Sequence, residues 1–182
     1  VLLGLKESFP DFKVIKLKKK SGQSIAILIG MIFSKGQIVV TLDSDLQNNP
    51  DDLPGFIDRL NQGYDLVCGW RKSRKDSFLM RVLPSIAGNF IFSKLYGIRV
   101  HDFGCTFKAY KRRLVVKITG FLYNGTHRLI PFIAKHFGFS ISEIEISHRP
   151  RIFGKSKYNL SRFLKAPVDF IVIKYLITNN KT

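Results

Sequence analysis

Asp43, Asp45 and Gln47 stand at alternate positions directly after an apolar run, in the stretch QIVVTLDSDLQNNP (37–50). Carboxylates two residues apart on an extended chain share one side. With the Gln47 amide oxygen they make an all-oxygen donor set suited to Mg²⁺ or Mn²⁺, ions that commonly take one or two carboxylates and complete their shell with water and substrate phosphates. A metal there would hold a diphosphate. Downstream, Arg71, Lys72, Arg74, Lys75 and Arg81 follow Gly69-Trp70 in quick succession, a cationic cluster suited to a second phosphate. A third feature, HRPRIFGKSKY (148–158), surrounds a glycine turn with Arg and Lys, which is an anion-binding composition. Each feature also has a plainer reading, the acids as caps of the next turn and the cations as a solvated face. Their occurrence together favours phosphate chemistry.

The elements that must position these groups are legible from periodicity. Residues 12–17 (FKVIKL) alternate like a strand, and a basic turn leads into an apolar helix over 24–33. Lys35-Gly36 ends that helix before a strand over 38–42. Asn49-Pro50-Asp51-Asp52 opens a helix through Leu60, with acids in its first turn where they favour the helix dipole. Gln62-Gly63 closes it before a strand over 64–68. Strands alternating with helices imply an α/β fold with a mostly parallel sheet, whose ligands sit beyond the carboxyl ends of the strands. That is where Asp43 to Gln47 fall. Beyond Gly69 the pattern loosens: a long basic helix over 77–95, a strand within 104–110, a helix over 129–136 and a strand over 140–146. The last segment, 160–178, is apolar but interrupted by Arg162, Lys165, Asp169 and Lys174, the first three on one helical face. It reads as a helix lying in a membrane interface, or alternatively as a terminal helix packed on its own domain.

Composition sets the bounds. The chain has 182 residues, 45% hydrophobic and 24% charged, which suits one globular domain and excludes disorder as its class. Thirty Lys and Arg against 13 Asp and Glu give a formal net charge of +17, which calls for polyanionic partners. No apolar run approaches the roughly 18 residues needed to span a bilayer. Cys68 and Cys105 lie in apolar segments and read as a reduced pair rather than a disulfide framework.

VVTLDSDLQNNPDDLPGFIDRLNQGYDLVCGWR, then HDFGCTFKAYKR at 101–112, HRLIP at 127–131 and HRPRIFGKSKYNLSRF at 148–163 resemble the dolichol-phosphate mannosyltransferase-like, or polyprenyl-phosphate, group of family 2 glycosyltransferases. The resemblance runs from Phe12 onward, and four motifs in order are far more specific than any one. It implies a GT-A (nucleotide-diphospho-sugar transferase) fold over 1–158, followed by an amphipathic membrane-interface helix over 159–182. It also implies metal-assisted, inverting transfer of a sugar from a nucleotide sugar to a dolichyl or undecaprenyl phosphate at the cytosolic face of a membrane. By match, Asp43, Asp45 and Gln47 would bind Mg²⁺ or Mn²⁺ and the donor diphosphate. Arg71, with Arg81 or Ser85, would meet the lipid phosphate. Asp102 falls at the acidic position near the sugar, while Arg151, Ser156 and Lys157 fall on a loop that closes on the phosphates.

The match also departs from the family in places. The chain begins after the family's Pro-x-x-Asn-Glu strand and its Asp-Asp-x-Ser segment, which hold the base and ribose. It is therefore expected to be a fragment without the N-terminal strand, poorly soluble and inactive by itself, since the loss exposes neighbouring strand edges. Lys20 and Gln23 replace an expected Asn and Lys, and Gly125 stands where relatives carry Glu before His127-Arg128. Two rival readings fit less well. A haloacid-dehalogenase-type phosphotransferase would need Thr or Val shortly after the second Asp, where Leu46-Gln47 stand. A nucleic-acid-binding module would line its cations along one face with interleaved aromatics. Here they cluster in turns around a carboxylate pair that would repel phosphate without a metal.

Overall fold

The computed structural model describes residues 8–9, 11–72, 97–123, 125–149 and 161–179, with the side chains of the last helix described at Asp169 and 171–179. Its elements are α1 (Gln23–Phe33), β1 (Ile38–Thr41), a 3₁₀ turn (Pro50–Asp52) entering α2 (Leu53–Asn61), β2 (Leu66–Trp70), β3 (Lys108–Lys111) and α3 (Arg112–Ile118). Two further 3₁₀ turns (Thr119–Phe121, Thr126–Leu129) precede α4 (Ile130–His136), β4 (Ile141–Glu145) and α5 (Ser161–Asn179). The expected long helix over 77–95 lies outside the described residues.

The sheet order is β1-β3-β2-β4. β3 pairs antiparallel with both β1 and β2, and β4 pairs parallel with β2. The described sheet is therefore mixed, which corrects the mostly parallel expectation. The first two strands do run parallel to each other, as the strand–helix alternation implied, but β3 is inserted between them in the opposite sense. This topology builds the site. The carboxyl ends of β1, β2 and β4 and the amino end of β3 all reach the same edge of the sheet, so the segments 42–49, 71–72, 101–107 and 146–149 meet there.

Alternate strand residues face opposite layers. Val39, Leu66, Cys68 and Tyr110 join the larger core with Met31 of α1, Leu114, Val115 and Ile118 of α3, Ile130 and Ile133 of α4, and Ile173 and Ile177 of α5. Val67, Phe107 and Ala109 face the other way and meet Phe56 and Leu60 of α2. Phe56, fully buried, stacks on Phe107 with centroids 4.2 Å apart. Removing a ring so packed costs about 3–5 kcal/mol.

Residues 12–17 do not form a strand. They have the alternation but no described neighbour to pair with, and Val14 and Ile15 are exposed. The terminal segment is helical as expected. Its inner stripe, Ile173 and Ile177, belongs to the domain core, while Ile171, Val172 and Tyr175 are exposed on its outer side. Among the described residues no helix is long and apolar enough to cross a membrane.

Candidate active site

The acidic turn begins where strand pairing stops. β1 ends at Thr41, whose hydroxyl donates to the Thr106 carbonyl at 2.5 Å. Asp43 is then gripped from two sides: Gln23 Nε2, at the start of α1, donates to its Oδ1 at 2.9 Å, and the Thr106 hydroxyl donates to its Oδ2. Extended geometry does not persist to Asp45, contrary to the premise that put both carboxylates on one side of a strand. The chain turns instead, with Leu46 at φ 62, a left-handed conformation that costs a non-glycine residue about 1–2 kcal/mol. The turn brings the Gln47 amide 3.3 Å from Asp45 Oδ1. Strain of this kind persists only where the surroundings over-determine the backbone, as they do at functional turns.

The segment after β4 is zipped onto this turn. The Arg149 amide donates to the Gln47 carbonyl at 2.8 Å, Gln47 Nε2 donates to the Arg149 carbonyl at 3.3 Å, and Asn48 and His148 form an isolated antiparallel bridge. Asp52 fastens the join by accepting from the Ser147 amide at 2.8 Å. The start of the HRPRIFGKSKY loop is thus held against the acidic turn. Arg151, Ser156 and Lys157 further along it lie outside the described residues, as do Arg81 and Ser85.

Arg71 follows β2 and makes a bidentate pair with Asp102, Nε to Oδ2 at 2.7 Å and Nη2 to Oδ1 at 3.0 Å. Both side chains are largely buried, at 16% and 5% exposure. The two carboxyl and guanidinium planes are locked in the fork geometry that also recognises phosphate. Gly69 lets the 101–107 turn come this close, because a Cβ there would lie 2.9 Å from Ile146 Cδ1 and 3.0 Å from the Phe107 carbonyl oxygen.

Position 125 explains itself in the structure. Gly125 has φ 92, and a Cβ on it would collide with the Asp169 carboxylate of α5. Its amide donates to buried Ser24 Oγ at 3.0 Å, and that hydroxyl lies 2.7 Å from His127 Nδ1. Ser24 adjoins Gln23 in sequence, so this network abuts the grip on Asp43.

Both cysteines are buried. Burial, only partly offset by the Lys108 ammonium, pushes the Cys68 thiol up to about 12, and burial likewise raises Cys105. Both are free, as expected. Of the predicted site residues, the structure brings Asp43, Asp45, Gln47, Arg71 and Asp102 to one edge. Sequence reasoning missed Thr106 and Lys108, although both lie inside the HDFGCTFKAYKR motif, and it missed Glu143. For Lys108 the available signal was a lysine between Phe107 and Ala109 in an apolar stretch, since buried charge requires partners; Glu143, in the polar strand ISEIE, carried none.

Among the described residues no group of three or more His, Cys, Asp and Glu side chains forms a metal cage. Asp43, Asp45 and the Gln47 amide nonetheless supply hard oxygen donors of the kind that hold Mg²⁺ or Mn²⁺ jointly with a diphosphate.

Comparison with known proteins places this arrangement. The chain is 32% identical over 168 residues to dodecaprenyl-phosphate galacturonate synthase of Rhizobium johnstonii, covering 91% of this chain and 49% of that protein. It is 37% identical over 155 residues to undecaprenyl-phosphate 4-deoxy-4-formamido-L-arabinose transferase of Pseudomonas paraeruginosa, covering 85% and 45%. It thus spans about half the length of these relatives. Glucosyl-3-phosphoglycerate synthase of Mycobacterium tuberculosis has the same fold. Its complex with UDP superposes with a TM-score of 0.63 at 16% identity, over 92% of this chain and 58% of that one. Its complex with Mn²⁺, UDP and phosphoglyceric acid gives 0.59, also at 16% identity, over 92% and 57%. The fold is therefore GT-A. The family model for glycosyl transferase family 2 matches residues 1–119, from before α1 through α3 and so across the acidic turn, Arg71 and Asp102; the chain belongs to glycosyl transferase family 2.

Proposed function

We propose that the protein to which this chain belongs transfers a sugar from a nucleotide-sugar donor to the phosphate of a polyprenyl lipid at the cytoplasmic face of a membrane. The observation that carries this reading is the meeting, on one sheet edge, of an acidic oxygen pole (Asp43, Asp45, Gln47) and a cationic pole (Arg71 fixed by Asp102). The relatives named above share a polyprenyl-phosphate acceptor and differ in their sugar, so the acceptor class is the part that carries over.

Asp43, held by Gln23 and Thr106, would hold Mg²⁺ or Mn²⁺ together with Asp45 and Gln47. When bound, the ion supplies charge compensation for the departing nucleoside diphosphate. Everything else falls to the side chains. A lipid phosphate monoester has a second pKa of about 6 and is largely dianionic at pH 7, so it needs no dedicated base. Its oxygen attacks the anomeric carbon while the bond to the diphosphate oxygen breaks and the electron pair leaves with the nucleoside diphosphate, inverting the centre. Arg71 would orient the attacking phosphate, helped by Arg81 or Ser85, and Asp102 would fix that guanidinium beside the sugar. Arg151, Ser156 and Lys157 would close on the donor phosphates. Positioning and preorganised charge of this kind supply most of the catalysis such a reaction needs. Ile171, Val172 and Tyr175 on the outer side of α5, with a net charge of +17, suit a surface of anionic lipid.

The test is transfer by the full-length protein from labelled nucleotide sugars to undecaprenyl phosphate, with and without EDTA. Asp45→Asn should abolish transfer and Mn²⁺ binding together, and Arg71→Ala should weaken use of the lipid phosphate more than nucleotide binding. EDTA-resistant transfer, or full activity in Asp45→Asn, would refute the metal role. Equal losses of both substrates in Arg71→Ala would refute its acceptor role.

A further inference from the structure

Two buried charges outside the site described above converge on a single turn. Glu143, on β4, is 7% exposed, and its carboxylate accepts from the His101 amide at 2.9 Å, the Asp102 amide at 3.1 Å and, at 2.7 Å, pairs with His101 Nδ1. Trp70 stacks on the His101 ring with centroids 4.3 Å apart, closing the other side. Lys108, on the central strand β3, is 1% exposed. Its ammonium donates to the Phe103 carbonyl at 3.1 Å and to the Cys105 carbonyl. The acid therefore takes the amides at the start of the 101–106 turn, and the ammonium takes the carbonyls at its middle.

The same turn carries a site group at each end. Asp102 holds Arg71, and Thr106 holds Asp43. The turn is thus the physical span between the acidic pole and the cationic pole. An isolated buried charge is costly, and the hydrogen bonds described for both of these go to residues of this one turn. We infer that Lys108 and Glu143 are positioning residues that clamp the 101–106 turn and so set the distance between the donor-side carboxylates and Arg71.

The inference rests on the proposed transferase reading for its kinetic test, and on the Thr106–Asp43 contact for a test independent of it. In the full-length protein, Lys108→Met and Glu143→Gln should each lower kcat roughly 10-fold or more while KM for the nucleotide sugar stays within about twofold, as displaced outer partners do. Lys108→Arg, which keeps donors at that position, should recover at least about half of kcat. Thr106→Val, which deletes only the hydroxyl link to Asp43, should weaken Mn²⁺ about threefold or more by manganese resonance titration, and Lys108→Met should weaken it in the same direction. Melting temperatures measured in parallel separate positioning from loss of fold. The clamp is overturned if kcat stays within about twofold in both variants, if Lys108→Arg is as inactive as Lys108→Met, or if the loss of activity merely follows the unfolded fraction. Wild-type protein that transfers no sugar would remove the proposed function. The manganese titration then decides the clamp by itself, and unchanged affinity in Thr106→Val and Lys108→Met would overturn it.

Discussion

Replacing Asp102 with Asn offers a sharp test of the buried fork, because Asn keeps the shape and one acceptor oxygen while turning an amide donor toward the Arg71 guanidinium. The pair has two charge-assisted hydrogen bonds, at 2.7 and 3.0 Å. A hydrogen bond to a charged group is worth about 1.5–3 kcal/mol, and removing one partner of a fully buried ion pair costs about 3–5 kcal/mol. Arg71 retains 16% exposure at the site edge, so water softens the loss. About 2 kcal/mol is expected. For a domain of this size that corresponds to a fall in Tm of about 4–8 °C, read by calorimetry on the full-length protein. The double variant Arg71→Met/Asp102→Asn should be less destabilised than the sum of the singles, by roughly 1.5 kcal/mol, because the charge left unpaired in one single is absent from the double. A Tm within about 1 °C of wild type in Asp102→Asn, or strict additivity in the cycle, would refute the reasoning that the pair is a coupled, dehydrated unit.

Three further outcomes follow from geometry already described. Gly125→Ala should destabilise by about 2 kcal/mol or more, since the φ of 92 and the Asp169 carboxylate both oppose a Cβ, and adding Asp169→Ala should restore only the steric part in thermal unfolding. Cys68 and Cys105 should resist iodoacetamide in the folded protein at pH 8 and react only on unfolding, because burial keeps both as thiols. Burial alone would raise the Asp65 carboxyl, but hydrogen bonds from Arg113 and Ser140 outweigh it and hold the group below its ordinary 3.8. The stabilisation this gives is present above that value and is lost as pH falls through the lower folded value, so the Tm gap between wild type and Asp65→Asn should be constant near neutrality and close on acidification.

Much of the fold could be read from periodicity and turn signals, which mark α1, β1, α2, β4 and α4; Phe56 and Leu60 of α2 and Ile130 and Ile133 of α4 are buried as such a pattern requires. What periodicity does not carry is partnership. Residues 12–17 have the alternation of a strand yet pair with nothing described, whereas Lys108–Lys111, with two lysines in four residues, is paired on both sides, to β1 and to β2. Its direction followed from neighbours distant in sequence, Val39 opposite Tyr110 and Leu66 opposite the same residue, so the mixed sheet was invisible locally. The acidic turn was legible by residue type, but not its shape. The left-handed Leu46 and the grip of Gln23 and Thr106 on Asp43 arise from tertiary contacts. Arg112–Ile118 escaped notice as a helix because its short basic opening, KRR, continues straight from the strand without a cap.

The adjacency of β2 and β3 has a consequence for how such a protein can diversify. β2 ends at Trp70 and β3 begins at Lys108 on neighbouring antiparallel strands, which lie about 4.8 Å apart, so the excursion through 71–107 starts and returns at adjacent points of the sheet. Its length is nearly free to vary, since loop closure depends only logarithmically on residue number. Its two roots are stapled to each other by Arg71 and Asp102 at the point of departure and return. The excursion is therefore a natural cassette. A different stretch grafted between Arg71 and Asp102 would leave the acidic turn and its Thr106 contact in place, so a single scaffold could carry excursions of different length and composition.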